Sequence, residues 1–87
     1  MTTQNHHYTT TDTIQATYLI IAGFPILSID YSKPRYEFVF PQDAESKIQE
    51  EAMRYITGKA LVDPAAFMRV NRKLVRLVKS SIQWEDE

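Results

Sequence analysis

The sequence predicts an α+β fold: one small domain in the order α-β-β-α-α, with an antiparallel β-hairpin packed on three helices. Three observations carry this expectation. Residues 61–67 form a complete helix start, with Asp63 placed to cap, Pro64 at the first helical position, and Val62 and Phe67 at the spacing of a hydrophobic staple. Residues 26–31 and 36–40 alternate apolar and polar side chains on either side of a short polar turn, the period-two signal of a hairpin. The two glycines, Gly23 and Gly58, each fall directly behind a stretch of helical periodicity, where a left-handed residue ends a helix.

Residues 1–11 are Thr-, Gln-, Asn- and His-rich and read as a flexible polar tail, followed by a globular domain over 12–84 and an acidic end at 85–87. Asp12 opens the first helix, over 12–22, with Gln15 three residues on at capping-box spacing. Ile14, Tyr18 and Ile21 share one face, widened by Leu19 and Ile20, and Pro25 forbids continuation beyond Gly23.

Two registers suit the hairpin. A turn centred on Lys33-Pro34 sets Asp30 opposite Glu37 and puts proline second in the turn. A turn centred on Pro34-Arg35 avoids both penalties and is the expected one. Residues 43–57 read as the second helix, with Asp43 as cap, Glu45 favouring the N-terminal end, and Ile48, Ala52, Tyr55 and Ile56 as its buried stripe. The third helix runs from Pro64 to about Gln83. Phe67, Val70, Leu74, Leu77, Val78 and Ile82 fall on one side of it, and Arg69, Arg72, Lys73, Arg76 and Lys79 on the other.

The 87 residues suffice for one domain with a modest core, and the absence of cysteine leaves packing or self-association to stabilise it. A net charge of −1 gives no long-range pull on nucleic acid or membranes. The longest apolar run, 18–22, is too short to span a bilayer, and the N-terminus has no apolar signal region, so cytoplasmic residence is the expectation.

The segments Tyr18-Leu19-Ile20-Ile21-Ala22-Gly23-Phe24, Tyr36-Glu37-Phe38-Val39-Phe40 and 55–64, followed by the helix bearing Phe67, resemble a family of short uncharacterised prokaryotic and phage proteins catalogued as a domain of unknown function. The resemblance covers about two thirds of the chain, through packing and turn residues. It implies the same element order and a phage or mobile-element setting, and it carries no catalytic motif.

Chemistry-bearing constellations are sparse. His6 and His7 are the only histidines, and a metal site needs three or four convergent ligands. The body has no histidine or cysteine to activate a serine, no phosphate-cradling glycine loop, and only Asp30 and Glu37 as paired carboxylates. No catalytic residue, cofactor or metal is therefore expected. The basic stripe Arg69, Arg72, Lys73, Arg76 and Lys79 is the sharpest lead. It suits a solvated face, a face paired internally with Glu45, Glu50 and Glu51, an electrostatic face for a protein partner, or, with Lys33 and Arg35, a nucleic-acid face. Trp84 either docks on the chain's own core or anchors a partner or homodimer. The expectation is a non-enzymatic protein-binding or accessory module, with a nucleic-acid-binding module as the alternative.

Overall fold

The computed structural model describes residues 7–41 and 47–84. Within them the elements run β1 (His7–Thr10), α1 (Thr13–Ile21), β2 (Ser28–Asp30), β3 (Glu37–Pro41), α2 (Ile48–Ile56) and α3 (Pro64–Ser80). The α+β class and the order α-β-β-α-α hold, with one further strand ahead of them. The sheet is three-stranded, antiparallel, in the order β1-β3-β2.

Residues 7–10 thus leave the expected tail and join the sheet. Tyrosine and threonine favour strands when one side of the strand finds cover. Tyr8 lies opposite Phe40 and Thr10 opposite Phe38, both half-buried, while His7 and Thr9 face solvent. The added strand makes β3 central, where Phe38 and Phe40 are fully buried. The Tyr8 hydroxyl donates to Gln15 Oε1 at 3.2 Å, and burial lifts its pKa above the ordinary value.

The hairpin adopts the register that the sequence disfavours. Ile29 lies opposite Phe38 and Asp30 opposite Glu37. Both objections dissolve in the structure. Pairing stops at Asp30 and Glu37, so residues 31–36 form a longer connection and Pro34 is not squeezed into a two-residue turn. The two carboxylates are also engaged separately. Asp30 Oδ1 accepts from the Ser32 amide (2.9 Å) and hydroxyl (2.6 Å), which holds its carboxyl below the usual range. Lys33 Nζ lies 3.0 Å from Glu37 Oε1, and that carboxylate raises the pKa of the ammonium.

Asp12 caps α1 through Oδ1, which accepts from the amides of Ile14 (2.9 Å) and Gln15 (3.2 Å). The expected capping box does not close. The Asp12 amide donates to Thr10 Oγ1 instead, and Gln15 turns inward to Tyr8. Because α1 packs against β1, α2 and α3, burial runs through five consecutive residues, Gln15 to Leu19. Ile14, expected on the buried face, is largely exposed. Thr17 is fully buried. Its hydroxyl donates to the Thr13 carbonyl at 2.8 Å and lies 3.1 Å from Asn71 Oδ1 on α3.

The expected cap Asp43, and Glu45, lie outside the described residues; α2 begins behind Lys47, which makes no side-chain cap bond. Ile48 and Ala52 are buried and Tyr55 is half-buried, but Ile56 faces solvent. Tyr55 stacks on Tyr18 and donates to Asp12 Oδ2 at 2.9 Å, so one carboxylate caps α1 and holds α2. Asp63 caps α3 by accepting from the Ala66 amide at 2.9 Å, with Pro64 at the first turn. Leu74 and Leu77 are its buried residues.

All three helices close in the same way. A residue of positive φ follows each helix: Gly23 (104°), Gly58 (78°) and, in α3, Ser81 (54°). Each is bracketed by two reversed bonds, Phe24 N to Leu19 O with Gly23 N to Ile20 O, Lys59 N to Arg54 O with Gly58 N to Tyr55 O, and Ile82 N to Leu77 O with Ser81 N to Val78 O. These are Schellman closures. The third explains why α3 ends at Ser80 rather than near Gln83, and why Ile82, expected in the buried stripe, is exposed.

Behind that closure the chain turns back onto β2. Gln83 Oε1 accepts from the Ile29 amide (2.7 Å) and Gln83 Nε2 donates to the Ile29 carbonyl (2.6 Å). The side-chain amide occupies the place of a neighbouring strand's peptide group. The Tyr31 hydroxyl, donating towards the carbonyls of Leu77 (3.1 Å) and Ile82 (2.8 Å), fastens the same junction.

Candidate functional site

The spacing of three and four residues that marks Arg69, Arg72, Arg76 and Lys79 in the sequence places them along one side of α3. The helix carries five basic and no acidic side chains. Since the chain totals −1, the remainder carries −6. Charge is therefore sharply divided between α3 and the rest of the chain.

Arg69, Arg72, Lys73 and Arg76 converge with Val70 and Trp84 on a groove of about 430 Å³. Lys79 continues the stripe, exposed, and is not among the groove's lining residues. Trp84 is half-buried and packs against the core. Its ring carries the Lys73 ammonium 4.0 Å from the centroid, a cation–π pair. The returning segment behind α3 thus brings an aromatic wall to the basic stripe, a juxtaposition that helical periodicity alone does not reveal.

Among the described residues, no ion pair joins α2 to α3. Glu51 accepts from the Tyr18 hydroxyl at 2.5 Å, which raises the pKa of that phenol, and stands 3.7 Å from Arg54. Glu45 lies outside the described residues. Among the described residues, the ion pairs are Lys33–Glu37 and Glu51–Arg54, and Arg69, Arg72, Arg76 and Lys79 have no ion-pair partner. Lys33 is held by Glu37, and Arg35 is exposed. Neither lines the groove.

A second, more apolar groove on α3 is lined by Phe67, Met68, Asn71, Arg72 and Val75, and shares Arg72 with the first. The sequence pattern puts Phe67 in the core, whereas it is half-buried here; Met68 and Val75 are exposed. The spacing 68, 72, 75 is the signal for this groove.

The remaining candidates are not drawn together. His7 is exposed on β1, His6 lies outside the described residues, and among the described residues no three metal-ligating side chains gather. Asp30 and Glu37 face one another across the hairpin, but Ser32 and Lys33 engage them, and the lowered pKa of Asp30 is opposite to what a proton-donating carboxyl requires. Among the described residues, no helix is long and apolar enough to cross a membrane. No protein-family model, curated protein or solved structure matches this chain.

Proposed function

We propose that this protein is a non-enzymatic binding module that docks an acidic protein segment in the groove between α3 and Trp84. One observation carries the reading: Arg69, Arg72 and Arg76, which have no ion-pair partner among the described residues, line a groove beside the half-buried Trp84. Unpaired guanidinium groups suit carboxylates, which they bind in a bidentate fork. A short acidic segment is favoured over an extended polyanion because the rest of the chain carries −6 and repels anything that extends beyond the groove. Placement among phage or mobile-element accessory proteins rests on the resemblance of residues 18–79 alone.

A nucleic-acid reading has one observation in its favour: an aromatic ring among cations is the arrangement on which single-stranded bases stack. Lys33 gives it little support, since Glu37 already holds that ammonium.

The lone tryptophan is a built-in reporter. Titration with a Glu/Asp-rich peptide of about ten residues shifts Trp84 emission, and the apparent affinity falls as salt rises through the screening range. The double variant Arg72→Glu with Arg76→Glu abolishes the shift while the circular dichroism spectrum is retained. Binding of a single-stranded oligonucleotide without binding of the peptide would transfer the assignment to nucleic acid, and a response to neither would end both readings.

A further inference from the structure

The two edges of the sheet are treated differently. At β2 the outward-facing groups of Ile29 are both taken by the Gln83 amide. That contact also shows the hydrogen-bonding phase of the sheet. Residues of an antiparallel strand alternate between bonding one neighbour and the other. With Ile29 turned away from β3, its opposite residue Phe38 bonds towards β1, and so does Phe40. Thr10 and Tyr8 answer them, leaving the amides and carbonyls of His7 and Thr9 pointing out of the sheet. Among the described residues, no backbone bond beyond the β1–β3 ladder reaches either residue, and both are exposed.

Exposed edges in monomeric sheets are guarded by lysine, proline, a bulge or a covering element. Among the described residues β1 has none of these: His7-Tyr8-Thr9-Thr10 carries no lysine, no proline and no carboxylate, and its partners on β3 run in unbroken register. We propose that the β1 edge is an interface between two copies of this chain, paired antiparallel across a two-fold axis.

A second copy is the occupant that the geometry favours. An antiparallel edge is complementary to its own copy under a two-fold rotation. The register in which His7 faces the partner's Thr9, and Thr9 the partner's His7, uses every outward group of both residues. It also sets the two Tyr8 residues opposite each other at the axis, on the core side of the sheet, as a cross-strand aromatic pair. The result is one six-stranded sheet, β2-β3-β1-β1-β3-β2. Its two ends are the edges that Gln83 closes, so the dimer leaves no unpaired edge.

Thr9→Pro tests this without disturbing the monomer. The Thr9 amide is unused by the β1–β3 ladder, and proline is tolerated on the open side of an edge strand. Light scattering on a size-exclusion column, between roughly 10 μM and 1 mM, spans the affinity that a short interface reaches. The wild-type chain passes from 10.1 kDa to twice that mass as concentration rises. Thr9→Pro stays at the lower mass with an unchanged circular dichroism spectrum. In the wild-type protein, amide exchange at Thr9 slows as concentration rises, a readout that decides the matter even where the proline variant fails to fold. A single-chain mass throughout, a dimer that Thr9→Pro leaves intact, or Thr9 exchange independent of concentration would overturn the proposal.

Discussion

Gln83 shows how far one side chain can determine a fold. A carboxamide is the one side chain that presents a donor and an acceptor in the geometry of a peptide group, and here both meet Ile29. Removing them leaves a strand amide and carbonyl to water. Gln83→Ala is expected to cost about 1–2 kcal/mol of stability, read as a lowered midpoint in urea denaturation. Gln83→Glu, although isosteric, is expected to cost more, because a carboxylate oxygen then confronts the Ile29 carbonyl. The sequence gives no warning of this role. Glutamine beyond a helix reads as solvated, and its partner lies 54 positions away. Tyr8, Gln15 and Thr17 were equally illegible, since their polar groups signal exposure and only the pairs Tyr8–Gln15 and Thr17–Asn71 reveal why burial is tolerated. Asp12 and Asp63 were legible because a cap bonds within three residues of itself.

At the scale of elements, local punctuation was readable and pairing was not. Both glycines stand where the sequence put them, and α1 and α3 start behind their predicted caps. The hairpin register is not legible because a tight turn would bring the like charges together, whereas pairing stops early and Ser32 and Lys33 engage the two carboxylates separately. β1 is not legible in the sequence because a short Tyr/Thr strand gains its favourable energy from Phe38 and Phe40 beside it. The basic stripe was legible from its period, but the convergence of Trp84 on it depends on the turn after Ser81. The three helix closures give a paired prediction. A non-glycine residue in the left-handed region costs about 1–2 kcal/mol. Neither glycine faces an atom within 4 Å where a Cβ would stand, so Gly23→Ala is destabilising through backbone strain alone. Ser81→Gly is expected to stabilise, and with about 4–8 °C of melting temperature per kcal/mol in a domain of this size, calorimetry resolves both signs.

For the molecule as a whole, tyrosines link the layers. Tyr18 and Tyr55 donate to Glu51 and Asp12, Tyr31 to the end of α3, and Tyr8 to Gln15. The pKa of each of these four phenols is raised: Tyr18 chiefly by its bond to Glu51, the other three chiefly by burial. A raised folded-state pKa means that the native state holds the proton more tightly than the unfolded chain. The stability this contributes is complete below the unfolded value, near 10. It is lost as pH rises through the folded values. Alkaline unfolding is therefore expected above about pH 10, with loss of helical dichroism coinciding with phenolate absorbance at 295 nm. Phenolates that form while the helices persist would contradict it.

The junction of Gln83, Tyr31 and Ile29 also has a consequence for synthesis. A ribosome delivers β2 long before it delivers the side chain that closes the strand's outer edge. Until residue 83 emerges, the β2 edge of the nascent sheet is open, and α1 lacks α3, the helix that faces Thr17 through Asn71. Stable folding on the ribosome is consequently deferred until α3 has been made, and in the interval the emerging strands are open to pairing with neighbouring nascent chains.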